Sequence, residues 1–251
     1  MMTALDKSKI TLICLPFAGG NAQSYREFQN YVADFVHIKP LDLPGRGKRT
    51  REPLLTDVEA MVNDVFQQIQ HDINDGPYAI YGHSMGAHLG YLLTKRILST
   101  GLPAPVHLFF SGREAPSVED KKPPKHNLPK EKFFKKLNEL GGFPEEVLKD
   151  AMLMEFLEPI LRADFKAVET YVYNPTQPFD IPMTLMRGLA EETTYAELQA
   201  WQPQTRQPVS IKQFPGGHFF IFDHLLQMGQ LFSKTLAQAL QKRVVAQGGY
   251  N

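Results

Sequence analysis

A single cysteine in 251 residues excludes an intramolecular disulfide framework. Its place inside the apolar stretch ITLICLPF makes Cys14 a core residue of a protein kept in a reducing compartment. Net charge is missing too: 27 basic residues balance 27 acidic ones, so no global field draws in a polyanion, and nucleic acid is not an expected partner. No run approaches the ~18 apolar residues of a membrane span. The opening MMTALDKSKI carries no apolar core of signal-peptide length. There is no internal repeat, no low-complexity tract and no exposed apolar repeat. These absences describe a cytoplasmic, monomeric protein that needs no membrane, and a chain of this length fits one domain, residues 1–251.

What is present is an alternation. Short apolar runs bounded by Gly and Pro alternate with longer helical patterns, as a mostly parallel sheet covered by helices requires. The fold class is therefore α/β, with strands expected at 10–16, 36–41, 78–81, 106–111, 183–187 and 209–214. Val58, Met61, Val62, Val65, Phe66 and Ile69 fall at helical spacing, and Thr56 with Glu59 forms a capping-box signature at that helix's start. The amphipathic stretch 223–244 is expected to open with Asp223 as N-cap and to pack on the sheet. From about 115 to 173 the strand signal stops. A Pro-rich entry leads into helical patterns from Glu131 onward, which reads as a helical lid inserted between two strands, the alternative being a second helical layer that serves the core.

The sharpest chemical feature is YGHSMGAHLGYLL. Gly82-His83-Ser84-Met85-Gly86 fits G-x-S-x-G, with a strand before it and a helix after it. A serine on such a turn is forced up from the sheet at a helix N-terminus, whose partial positive charge favours a developing oxyanion. Its hydroxyl needs a base downstream. In QFPGGHFFIFD a strand runs into Pro215-Gly216-Gly217 and releases His218 on a Gly-rich loop, and no other histidine has that setting. An oxyanion needs two donors: the Met85 N–H, following the nucleophile, and one from the loop after the first strand, LPFAGGNAQSY, where Ala18 is the first candidate and Phe17 the second.

The acid must follow a strand between Ser84 and His218 and aim at the outer nitrogen of the imidazole. In RGLAEETTY both Glu191 and Glu192 meet the positional requirement. Asp180 precedes the strand, Asp164 belongs to the lid, and Asp223 comes after the histidine.

Taken together, LICLPFAGGNAQSY, LDLPGRGKR, YGHSMGAHLGY, LFFSGREAPS, LRADFKAVETYVY and FPGGHFF resemble the type II thioesterases, the discrete proofreading hydrolases of nonribosomal peptide and polyketide synthesis. The resemblance spans residues 12–220. It implies an α/β-hydrolase fold with a helical lid, and hydrolysis of the thioester joining an acyl or aminoacyl group to the phosphopantetheine arm of an acyl or peptidyl carrier protein. No metal or other cofactor is implied, since phosphopantetheine arrives with the substrate. By position the resemblance maps the nucleophile to Ser84, the base to His218 and the acid to Glu191, where the family usually has aspartate; Phe17 falls among the substrate-contacting residues. Seven lysines between Lys121 and Lys136, with Glu131 the only acid among them, form a strip suited to an acidic carrier protein or to solvent. Arg46, in LPGRGKR, either binds the partner or braces the active-site loops. The competing readings are a carboxylesterase or peptidase on the same fold and a non-catalytic carrier-protein-binding module, because a Ser-His-acid site does not itself select a thioester.

Overall fold

A computed structural model describes residues 9–118, 123–141 and 150–248 of the chain. Six parallel strands form one sheet: β1 (Ile10–Leu15), β2 (Val36–Pro40), β3 (Tyr78–His83), β4 (Leu108–Ser111), β5 (Met183–Gly188) and β6 (Ser210–Phe214). The order across the sheet is β2-β1-β3-β4-β5-β6. The chain therefore steps outward from β1 to β2 and then crosses back to β3. This reversal opens a crevice between the carboxyl ends of β1 and β3, where ligands of open α/β sheets bind. Leu15 pairs with Gly82 across that crevice, which sets the loop after β1 beside the turn after β3.

Strand alternation builds two cores. Ile13 and Leu15 of β1 and Tyr78 and Ile80 of β3 face one layer, made by α1 (Val58–Asp75) and α2 (Met85–Ser99). Ile10, Leu12 and Cys14, with Ala79 and Tyr81, face the other, made by the 3-10 helix Ala22–Asn30 and the C-terminal helices. Cys14 is fully buried there, and burial pushes its thiol far above the usual range.

Two helix starts differ from expectation. Asp57 caps α1, its carboxylate accepting from Ala60 N–H at 2.9 Å. Thr56 and Glu59 form no capping box, because Asp57, immediately before the first helical residue, takes the N3 donor itself. Asp223 does not open the C-terminal helix. It ends a short helix, Phe220–Asp223; the chain bends at His224, whose Nε2 lies 2.9 Å from Pro215 O, and the long helix runs Leu225–Gly248.

Between β4 and β5 the described residues form α3 (Lys130–Glu139) and α4 (Ala151–Glu169). The C-terminal part of α4 enters the main core through Ala167 and Val168, while Leu161 joins Phe133 and Leu137 in a separate apolar cluster above it. The five-residue helix α5 is Tyr195–Gln199, the short Phe220–Asp223 helix is α6, and the C-terminal helix is α7.

Candidate active site

Ser84 stands between β3 and α2 with φ 55° and ψ −117°, and it is the only non-glycine residue with positive φ among those described. Such a conformation costs on the order of 1–3 kcal/mol and persists where the surroundings over-determine it. Here they do. Ser84 N–H donates to Ser111 O at 2.8 Å, locking the turn to β4. A Cβ on Gly82 would collide with the Gly86 carbonyl, and one on Gly86 with the Leu15 carbonyl, so both glycines of the motif are demanded by close backbone approach.

His218 leaves β6 as the sequence pattern predicts, and its Nδ1 lies 2.9 Å from Glu191 Oε2. The Glu191 side chain is 1% exposed and that of His218 15%. Glu191 Oε1 accepts from Gly188 N–H at 2.9 Å, so both carboxylate oxygens are engaged. Glu192 is exposed. The loops carrying acid and histidine are knitted together by Leu189 N–H to Phe214 O and Ala190 N–H to Gly216 O, at 2.8 and 2.9 Å.

Phe17, Ala18, Ser84, His218 and Phe219 line one cavity, roofed by Leu137 and Leu140 of the α3 end and by Leu161 and Phe165 of α4. It encloses about 60 Å³. No direct Ser84–His218 hydrogen bond occurs among the described residues, a common state of unliganded hydrolytic sites. A larger depression, about 550 Å³, lies beside β2 and is lined by His37, Asp42, Arg49 and Gln68; it holds none of the candidate residues. Among the described residues no group of three His, Cys, Asp or Glu could hold a metal ion, and no helix is long and apolar enough to cross a membrane.

Several residues around this cavity escape the sequence patterns. The His83 ring packs on His218 with centroids 4.7 Å apart, and its Nδ1 lies 2.9 Å from Ser111 Oγ. Burial, with the His218 charge added, holds His83 well below the usual histidine range, so it is neutral at pH 7. Beneath both rings is Gly112, φ +62°, where a Cβ would sit 2.5 Å from His83 Cε1 and 3.0 Å from His218 Cε1. Its position in LFFSGRE, next to a strand end, is the only signal for it.

Arg46 braces loops; at 3% exposure it does not reach solvent. Its guanidinium forms a bidentate pair with Asp164 of α4, at 2.5 and 2.6 Å. Asp164, set aside as triad acid because it belongs to the lid, also accepts from Gly19 N–H at 2.8 Å. The lysine strip is more neutral in space than along the chain. Lys125 pairs with Glu169, Lys130 with Glu158 and Lys136 with Glu139, at 3.6, 3.2 and 2.7 Å. Lys132 and Lys135 are exposed, and Lys121 and Lys122 lie outside the described residues.

The parallel sheet with its strained turn at Ser84 is an α/β-hydrolase fold, shared with solved thioesterases. Within that class the chain matches the thioesterase domain over residues 10–238 and belongs to that family, the thioester hydrolases. The gramicidin S biosynthesis protein GrsT of Aneurinibacillus migulanus is 38% identical over 238 residues, 94% of this chain and 93% of its own. Among solved structures, ClbQ of the colibactin NRPS/PKS pathway matches with TM-score 0.88 at 33% identity, covering 92% of this chain and 98% of ClbQ. BorB, the type II thioesterase of the borrelidin biosynthetic cluster, matches with TM-score 0.81 at 32% identity and 93% coverage of each.

Proposed function

We propose that this chain hydrolyses acyl or aminoacyl thioesters from the phosphopantetheine arm of acyl or peptidyl carrier proteins, in editing or regeneration of nonribosomal peptide or polyketide assembly. The observation that carries the reading is the Glu191–His218 contact at 2.9 Å beside a cavity that Ser84 shares with the loop of Phe17 and Ala18. The names of GrsT, ClbQ and BorB, each tied to one biosynthetic assembly route, support the substrate class.

In this reading Ser84 is the nucleophile, His218 the base and Glu191 the group that orients the imidazole. Glu191 accepts from Nδ1–H, which leaves Nε2 as the proton acceptor. His218 takes the Ser84 proton as Oγ attacks the thioester carbonyl carbon. The carbonyl electron pair moves onto oxygen, held by the N–H groups of Met85 and Ala18. Collapse expels the phosphopantetheine thiolate, which takes its proton from His218 and leaves an acyl-serine. Water then gives a proton to His218 and attacks the ester; collapse frees the acid and returns the proton to Ser84. The chemistry calls on no metal or redox cofactor.

A cavity of about 60 Å³ is far below the ~300–1,000 Å³ of ligand pockets. Within residues 115–173, α3 and α4 therefore act as a lid on a single domain, and the walls at Leu137, Leu140, Leu161 and Phe165 separate to admit an acyl chain. The protein is read as a cytoplasmic monomer whose partners are carrier proteins rather than nucleic acid or membrane.

The test compares acyl-carrier thioesters with oxyesters of the same acyl group, using the parent chain and Ser84→Ala. Thioester preference together with loss of turnover in Ser84→Ala supports the reading. A strong oxyester preference would instead indicate a carboxylesterase, and turnover surviving Ser84→Ala would remove Ser84 from the chemistry.

A further inference from the structure

His83 and Ser111 end adjacent strands, β3 and β4, and pair directly across the sheet, so their side chains leave the same face. Tyr81, two residues before His83, shares that face. Ser111 Oγ lies 2.9 Å from His83 Nδ1 and 3.2 Å from Tyr81 OH. All three residues are at most 1% exposed. His83 Nε2 has no partner among the described residues, so the Ser111 hydroxyl alone holds the His83 ring by a hydrogen bond. The main chain of Ser111 holds a second element, its carbonyl accepting from Ser84 N–H at 2.8 Å. One residue of β4 therefore touches both the turn that carries Ser84 and the ring that packs on His218.

We infer that Ser111 is a positioning residue: its hydroxyl fixes the plane of the His83 ring, and that ring in turn sets the tilt of the His218 imidazole. Glu191 holds His218 at one atom, Nδ1, at 2.9 Å. A ring held at one atom still pivots about that contact, so the direction of its Nε2 depends on what packs against it. His83 packs there with centroids 4.7 Å apart and planes at 45°, and Phe219 meets both rings, at 5.3 Å from His83 and 5.1 Å from His218. Without the Ser111 hydroxyl, both His83 nitrogens would be buried and unpaired, a state the ring leaves by turning toward another partner or by admitting water. Turning it moves the surface against which His218 rests. A displacement of about 1 Å in a reacting group costs as much as roughly 10²-fold in rate, so a modest tilt is enough to matter. The inference rests on Ser84 and His218 being nucleophile and base, and it adds no chemical step to theirs.

A buried hydroxyl that serves stability alone predicts something different, and a small set of variants separates the two. Ser111→Ala frees the His83 ring. Tyr81→Phe removes the other neighbour of the same hydroxyl and leaves the Ser111–His83 contact in place. His83→Phe keeps a ring against His218 but gives Ser111 no nitrogen to hold. The readouts are the urea midpoint, kcat and KM on an acyl-carrier thioester, and the rate at which an alkyl fluorophosphonate, losing fluoride to Ser84 Oγ, inactivates the enzyme. With positioning, Ser111→Ala lowers kcat and the inactivation rate by about tenfold or more while KM stays within about threefold. Tyr81→Phe keeps both rates within about threefold, even where its midpoint falls as far as that of Ser111→Ala. Adding Ser111→Ala to His83→Phe changes the inactivation rate by less than about twofold, because the hydroxyl has no ring left to aim. Parental rates in a folded Ser111→Ala variant would overturn the inference. So would equal rate losses in Ser111→Ala and Tyr81→Phe, or the full loss repeated on the His83→Phe background. Should His83→Phe not fold, the comparison of Ser111→Ala with Tyr81→Phe decides alone. A parent that reacts with the fluorophosphonate but turns over no thioester would remove the proposed function, while the inactivation rates would still test Ser111.

Discussion

Glu191 divides its carboxylate between two donors, His218 Nδ1 at 2.9 Å and the Gly188 amide at 2.9 Å. Each contact uses its own carboxylate oxygen, Oε2 toward His218 and Oε1 toward Gly188. Glu191→Ala should lower kcat/KM by roughly 10²–10⁴-fold, since the imidazole loses its orienting partner. Glu191→Asp should cost roughly 10–100-fold, because the shorter arm cannot hold both contacts. Steady-state kinetics on one acyl-carrier thioester checks both, with Glu192→Ala expected within about twofold of the parent. A damaging Glu192→Ala would move the acid to its neighbour.

Gly112 underlies His83 and His218. Gly112→Ala should lower kcat by about tenfold or more, because the added Cβ pushes on the His218 ring and φ +62° strains any side chain there. KM should change little, and the urea midpoint should fall by an amount worth about 1–2 kcal/mol. Unaltered kcat in a folded Gly112→Ala variant would show that His218 does not depend on this floor.

Burial holds His88 down to about 3 and His107 down to about 4, from 6.5. Both are neutral in the fold and protonate in the unfolded chain below pH 6.5. The unfolded state therefore binds more protons, and stability is present above pH 6.5 and lost as pH falls toward the folded values. By pH 5 each should have cost about 2 kcal/mol. Urea midpoints at pH 7 and pH 5 measure the loss, and His88→Gln should flatten the dependence by about that amount. An unchanged slope would mean that His88 is not held neutral.

If carrier docking uses the exposed part of the lysine strip, Lys132→Glu/Lys135→Glu should raise KM for a carrier-bound thioester by roughly three- to tenfold at low salt, and less at high salt. Turnover of a small acyl thioester should be unaffected. Equal KM values for the carrier substrate at low salt would assign this face to solvent.

Much of this protein is legible along the chain, for identifiable physical reasons. The alternating apolar period of each strand is a local property, and all six strands lie where it predicts, with ends moved by one or two residues. The turn at Ser84 carries its glycines as neighbours in sequence, because the backbone crowding they relieve is local. His218 is marked in the same way by the Gly-rich exit from β6. The two misplaced helix caps failed at the scale of single residues: Asp57 took the donor expected for Thr56, and the short helix ending at Asp223 put His224, against Pro215 O, at the break before the long helix.

The sequence by itself determined the fold class, the nucleophile motif and the short list of acids. Each of these is written in residue spacing and in the order of elements. Tertiary structure decided which glutamate lies beside His218, that Gly112 floors the two histidine rings, and that Arg46 meets Asp164 across 118 residues. Those contacts join segments whose mutual approach is set by sheet order and helix packing. No local pattern encodes a distance between side chains that meet only after the sheet has formed.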